Sequence, residues 1–388
     1  MIVEDARERL VRFRGGFPAK PLDARRVAGL LEAPGCTRRQ VLDAASIPME
    51  DLVPLLGGRW AGSSPLALDR GRRFEQRVVA NGMTDLLPLV RQKLGLQVQD
   101  IRQLDLSSPE LKTQYPDPAI NLTALRVKLT RNAVEQMLDG DQAAINLLRH
   151  PYLPLSVGDM PTHLEPDVVA FAASGNLAPL EIKSFSCVNG VADPAKVSEA
   201  ARQMAVYLLG LRELVGSLGG ATERVNTSGL LVMTQNLFLR ATGHVINLRP
   251  QVQRLERTLR EFPDATRLAP SVPVSIALPD LPDDDAPQAM KDAAREQATE
   301  AVGALGMRFG DGCTRCPMLA FCRTEARLQD NVAQLGNQAA NLCGDVGTVT
   351  AALELAAGSR EPHGAAEIAV AAELRRASIA LALAGARG

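Results

Sequence analysis

A chain of 388 residues, 46% hydrophobic and 22% charged, can bury a large core and has an ordinary globular composition. Its formal net charge of -1 excludes a global attraction to nucleic acid, so any phosphate contact must come from a local basic patch. Aromatics at 3% exclude extensive stacking of bases on rings. No hydrophobic run approaches the roughly 20 residues of a membrane helix, and the first residues, MIVEDARERLVRFRGG, lack a secretory apolar stretch. A cytoplasmic location with no membrane partner is expected.

In chain order, residues 1–90 are predicted to form short helices broken by Gly and Pro. Arg7, Arg9, Arg12, Arg14, Arg25, Arg26, Arg38 and Arg39 crowd this stretch, followed by Arg59, Arg70, Arg72, Arg73 and Arg77. Taken alone, both groups read as solvated helix faces. Residues 96–148 read as a strand-like piece and then a helix over 131–148. Asp167-Val-Val-Ala-Phe171 is a short apolar strand, Ser174-Gly175-Asn176 a turn, and Leu180-Glu-Ile-Lys183 a return strand. Asp193 then supplies an N-cap and Pro194 the first helical position. That helix runs to about Leu214, with Val197, Ala201, Met204, Leu208 and Leu211 as its apolar stripe.

Strands at 229–234 and 244–248 and a helix over 250–261 follow. Residues 262–288, rich in Pro and Asp, read as a linker or long loop. A helix over 290–305 leads into a cysteine cluster, and Ala-rich segments beyond Gly344 suggest two terminal helices. Four regions result: 1–90 helical, 91–262 a core, 263–345 linker, helix and cysteines, and 346–388 a helical tail.

The chemistry concentrates in Pro166-Asp167 and Glu181-Ile182-Lys183. Side chains alternate along a strand, so Glu181 and Lys183 share one face while Ile182 points to the core. A hairpin would bring Asp167 near Glu181, making an oxygen-rich site suited to Mg²⁺ or Mn²⁺. Lysine beside it can orient a water or steady a charged phosphate. The chain holds five Pro-Asp dipeptides, but only this one precedes, at hairpin distance, an apolar strand carrying Glu-x-Lys. Gln203 and Tyr207, four apart, share a face of the next helix.

Asp167, Glu181-Ile-Lys183 and Gln203-Met-Ala-Val-Tyr207 resemble motifs II, III and Q-x-x-x-Y of the RecB-like branch of PD-(D/E)XK nucleases. The resemblance implies an α/β (mixed α+β) fold: a restriction-endonuclease-like core with a mixed sheet flanked by helices. It also implies that Asp167 and Glu181 are metal ligands, Lys183 the catalytic lysine, and Gln203 and Tyr207 active-site or DNA-contacting groups. The family's upstream helix supplies a further ligand; Gly71-Arg-Arg-Phe-Glu75-Gln fits that place and suggests Glu75. The CRISPR-associated exonucleases usually carry histidine there. His163 reads as structural. The implied activity is metal-dependent hydrolysis of DNA phosphodiesters, at ends or on single strands. Its setting would be DNA repair or antiviral defence against foreign DNA, beside a protein partner such as a helicase. In that setting the arginine groups become phosphate contacts. The alternative is a non-catalytic DNA-binding or assembly subunit of such a complex.

Cys313-Thr-Arg-Cys316-Pro-Met-Leu-Ala-Phe-Cys322 places three thiols within ten residues, enough to hold one metal or one cluster corner. A fourth ligand must come from Cys36, Cys187 or Cys343, and zinc would suit four thiolates as well as iron–sulfur does. No redox fold surrounds Cys313 and Cys316 to make them a thioredoxin-like pair. The segment Gly35-Cys-Thr-Arg-Arg-Gln resembles the N-terminal cysteine segment of iron–sulfur nucleases related to the CRISPR-associated exonucleases and the AddB nuclease domain. That resemblance implies a 4Fe-4S cluster on Cys36, Cys313, Cys316 and Cys322, joining the N- and C-terminal helical segments.

Overall fold

Capping residues set several helix starts. Asp23, Ser64, Asn121, Asp193 and Thr348 each accept a hydrogen bond from a backbone N–H in the first turn of the helix that follows. Glycines with positive φ close several others, among them Gly95, Gly140 and Gly358. The computed structural model describes all residues except 1–2, 61, 63, 96–99, 141–144, 167, 174, 237 and 386–388.

Helices α1 (Val3–Arg14), α2 (Ala24–Gly29), α3 (Thr37–Ala44), α4 (Met49–Leu55), α5 (Pro65–Val79) and α6 (Leu86–Leu94) precede the first strand. Then come β1 (Gln103–Asp105), α7 (Ser108–Gln114), α8 (Leu122–Asp139), β2 (Leu147–Arg149), β3 (Leu153–Val157) and β4 (Met160–Leu164). The central segment holds β5 (Val168–Ala173), β6 (Asn176–Val188), β7 (Val191–Ala192), α9 (Pro194–Ser217), β8 (Ser228–Gln235) and β9 (Ala241–Asn247). Helices α10 (Arg249–Glu261), α11 (Ala265–Leu268), α12 (Gln288–Gly303), α13 (Leu319–Gln329), α14 (Asn337–Cys343), α15 (Val349–Ala357) and α16 (Gly364–Gly385) complete the chain.

These elements form two compact units. The first comprises Met1–Lys20, Glu32–Ala61 and Pro263–Gly388; the second comprises Pro21–Leu31 and Gly62–Phe262. The fold class is α+β, and the second unit contains a mixed sheet in the order β1-β2-β5-β6-β8-β9, with β7 on β6. The pairs β1–β2 and β6–β8 are parallel, and the remaining ladders of this sheet are antiparallel. Parallel pairing of β6 with β8 requires a crossover, which α9 provides. Leu180, Ile182, Leu230 and Val232 pack with Phe74 and Val78 of α5 and Leu86 and Val90 of α6. The opposite sheet face lies under α9: a methyl added at Gly229 would stand 2.4 Å from the Met204 terminal carbon. Helices therefore flank the sheet on both sides.

Three sequence expectations are corrected here. The helix expected at 131–148 is α8, which starts at Leu122 and ends at Asp139, while 147–149 is strand β2. Asn121 caps its start and Gly140, at φ 74, terminates it; neither signal is apolar, so hydrophobic periodicity passes over both. Residues 262–288 are more than a linker. Val272 and Leu278 are buried, and the Leu278 N–H donates to the Phe13 carbonyl at 2.8 Å, fixing this stretch to the end of α1. Arg26, Arg38 and Arg39, grouped with a solvated face, are buried.

Candidate functional site

The strand alternation around residue 181 decides the chemistry of the second unit. Leu180 and Ile182 face the core under α5 and α6, so Glu181 and Lys183 project to the side that α9 covers. Glu181 is fully buried, and its Oε1 is 2.6 Å from the ammonium of Lys183, which is 28% exposed. Burying a carboxylate without a cation is expensive, and Lys183 supplies that cation. In register with the parallel strand β8, Glu181 pairs with Leu231 and Lys183 with Met233. The ladder becomes irregular immediately afterwards, between Lys183 and Ser186, where the chain re-aims its side chains.

On α9, Gln203 and Tyr207 are both buried and share a helix face. Gln203 and Lys183 line one open cleft. Ser184, Phe185 and Ser186 of β6 complete its floor; Arg25 of α2, Arg70 of α5, and Lys196 and Glu199 of α9 form its walls. Four cations thus meet one carboxylate, a local basic patch on a chain of net charge -1. Arg25 stands 4.0 Å from Glu199, and Arg70 donates to the Ser186 hydroxyl at 3.4 Å. Asp167, the other carboxylate expected here, lies outside the described residues.

Glu75 sits on α5 and is engaged by basic groups. Its Oε1 is 2.9 Å from Arg149 Nη2 and 3.3 Å from His150 Nε2. Arg149 also holds Asp105 at 2.7 Å. Burial disfavours charge on both Glu75 and His150. Hydrogen bonds from His150 and Arg149 nonetheless hold the Glu75 carboxyl below its usual range, and Glu75 holds His150 above its own. Sequence reading missed Asp105, Arg149 and His150 because it placed 147–148 at the end of a helix. One signal was available: His150 precedes Pro151, which disfavours the α conformation and so a helix end at this point; in the structure it adopts φ 48. Arg149 is aligned with Val168 of β5, and a methyl added at Gly71 would lie 3.8 Å from the Ser184 hydroxyl. Helix α5 therefore runs from the end of β6 to the end of β2. Replacing Glu75 with alanine should cost about 1–2 kcal/mol, because two half-buried donors lose a shared acceptor. Thermal unfolding checks this. A raised Mn²⁺ requirement with unchanged melting would instead assign Glu75 to a metal.

His163 stacks on Tyr152, with ring centroids 4.6 Å apart and planes 8° apart, and burial pushes its pKa down. Cys187 is buried, 3.6 Å from His244 Nε2. Cys343 packs with Val332, Val346 and Leu355 in the small core of the C-terminal helices.

The remaining cysteines converge within the first unit. Cys36 sits at the N-cap of α3, yet its side chain makes no capping hydrogen bond. Cys313 lies in the 3₁₀ turn Asp311–Arg315, Cys316 just follows it, and Cys322 is in the first turn of α13. All four line one cavity, together with Arg38, Arg39, Phe309 and Met318. The turn seats against Glu32: a methyl at Gly312 would meet the Glu32 carbonyl oxygen at 1.8 Å, so only glycine fits. Arg315 adds an ion pair with Glu32 at 2.8 Å.

N–H groups surround the sulfurs. The Gly310 amide donates to Cys313 Sγ at 3.3 Å and Arg38 Nη1 to Cys322 Sγ at 3.2 Å. Arg39 and the Met318 amide donate to Cys316. Burial pushes the Cys322 thiol up to about 11 and raises Cys316 as well, against the pull of the two arginines. No group of three or more His, Cys, Asp or Glu side chains forms a ready-made single-ion site among the described residues. No helix among them is long and apolar enough to cross a membrane. No protein-family model matches this chain, and no curated protein matches it either.

Proposed function

We propose that this chain is a divalent-metal-dependent DNA nuclease of the PD-(D/E)XK superfamily, RecB-like branch, with a restriction-endonuclease-like core. The observation that carries the reading is the fully buried Glu181 carboxylate beside the ammonium of Lys183, which lines a basic cleft. Glu181 is the described carboxylate that would hold Mg²⁺ or Mn²⁺; a bound ion supplies an acidified water and offsets charge on the leaving oxygen. Lys183 is suited to steady the phosphate or orient the water. Gln203 is suited to bind the strand beside it, and Arg25, Arg70 and Lys196 to track the phosphates.

Cys36, Cys313, Cys316 and Cys322 would hold a 4Fe-4S cluster that staples the N- and C-terminal helical segments. The donor set supports it: four thiols on one cavity, with N–H donors aimed at three of them. Brown protein absorbing near about 400 nm is expected after anaerobic purification. Colourless protein with one zinc per chain would assign the same cysteines to zinc.

The test is digestion of labelled single- and double-stranded DNA with and without Mn²⁺. Binding without cleavage would favour the second reading, an assembly subunit. One observation speaks for a protein partner: Ile368, Ile379, Leu381 and Leu383 of α16 are exposed. Arg70→Ala is expected to weaken DNA binding equally across sequences. It should lower the slope of log affinity against log salt by about one phosphate contact. An unchanged slope would remove Arg70 from the strand path.

A further inference from the structure

We propose that Arg38 and Arg39 form a guanidinium cradle, positioning Cys322 and Cys316 and tuning the charge of the metal centre that the four cysteines hold. The inference rests on the metal-centre reading above and assigns residues that the resemblance does not.

Arg38 and Arg39 are consecutive on α3, so their side chains diverge by about 100° around the helix and reach different sulfurs. Arg38 is 1% exposed, the largest fully buried side chain among the described residues. Its Nη1 donates to Cys322 Sγ at 3.2 Å, and Nη2 to the Leu305 and Gly303 carbonyls at 2.9 and 3.4 Å. Glu325 closes the fork, with Oε2 2.6 Å from Nη1 and Oε1 3.0 Å from Nη2. Phe321 packs its ring 5.3 Å from the guanidinium carbon. Arg39 repeats the pattern: Nε is 2.5 Å from Asp43 Oδ2, and the guanidinium also bonds Cys316.

Each arginine thus joins a carboxylate to a sulfur. The two Arg–carboxylate pairs are neutral together, which lets them be buried. Their remaining N–H groups point at atoms that carry negative charge only when the thiols are deprotonated and bound to a metal. Four neutral thiols have little use for guanidinium donors; a four-thiolate centre with net negative charge does. Hydrogen bonds to ligand sulfurs hold them in place and favour the more negative state of a cluster. A merely structural pair would need the carboxylates and not the sulfurs.

The experiment compares anaerobically purified full-length wild type with Arg38→Gln, Arg38→Lys, Arg39→Gln and Glu325→Gln. Metal content, the rate of metal stripping by a chelator and, where the centre is iron–sulfur, its midpoint potential are measured beside the melting temperature; for zinc, which is redox-inert, the stripping rate carries the test. Arg38→Gln and Arg39→Gln should be stripped roughly 10–100-fold faster than wild type, with Arg38→Lys between. Arg38→Gln should shift the potential negative. Glu325→Gln leaves the guanidinium charge uncompensated beside Cys322 and should shift it positive, and this variant carries the test if Arg38→Gln does not fold. Opposite shifts from two residues in one contact cannot come from general loosening. Lower melting temperatures with unchanged stripping and potential would overturn the proposal and leave the arginines structural. Should wild type hold neither iron nor zinc, the metal-centre reading itself fails first.

Discussion

Replacing Lys183 with alanine is expected to lower Mg²⁺- or Mn²⁺-dependent DNA cleavage at least about a hundredfold, the scale of losing one preorganised electrostatic contact in a transition state. The substitution also removes the ammonium that lies 2.6 Å from a fully buried carboxylate. Stripping a buried charge of its partner costs roughly 3–5 kcal/mol, somewhat less here because Lys183 is partly exposed. A divalent ion at Glu181 would repair that loss. The variant should therefore gain more melting temperature from Mn²⁺ than wild type does, although it no longer cleaves. Cleavage and melting are measured on the same preparations, with Mn²⁺ and with EDTA. Lys183→Arg keeps the charge but presents a planar fork, and should remain stable while recovering little activity. Wild-type cleavage rates in Lys183→Ala would sink the nuclease assignment.

Losing the proposed cysteine-bound centre should have the largest effect on stability. Cys36 and Cys313 are 277 residues apart in the chain (313 minus 36), and their sulfurs line one cavity. A cross-link closing a loop of that length removes chain entropy worth about 5.6 kcal/mol in the simplest treatment. Expressed as ligand binding, a centre loaded a thousandfold above its Kd contributes about 4 kcal/mol. Cys36→Ser should lose that contribution together with the metal, and chelator-treated wild type should melt with the variant. Cys343→Ser is the control, since Cys343 lies in the core of the C-terminal helices. It should keep its metal. A Cys36→Ser protein with full metal content and unchanged melting would exclude Cys36 as a ligand.

Local periodicity made much of the second unit legible. The Asp193–Pro194 cap placed the start of α9, where the Asp193 carboxylate accepts from the Ala195 N–H at 2.8 Å. Apolar runs placed β8, β9 and α10 to within a few residues. Short strands were harder. β1 and β2 have three residues each, too few for a period, and their parallel pairing is a long-range event. The hairpin β3–β4 carries a proline in each strand, which masked it. In the basic cleft, Lys183 and Gln203 followed from motif spacing. Arg25, Arg70 and Lys196 did not, because no local signal says which of many surface cations will face one opening.

Two facts about this protein follow from sequence spacing by itself: Glu181 and Lys183 share one strand face, and Cys313, Cys316 and Cys322 are close enough to act on one centre. Both depend on geometry that repeats every two to four residues, so neighbours in the chain suffice to fix them. The tertiary structure alone decided that Glu181 is buried, that Cys36 joins the three later cysteines, and that Arg38 and Arg39 turn inward to the sulfurs. Arg38 reaches Gly303, Leu305, Cys322 and Glu325 across 265 to 287 residues of chain. At such separations a side chain is placed by the packing of helices against one another. The same arginine that reads as part of a solvated face becomes a fully enclosed charge of its unit.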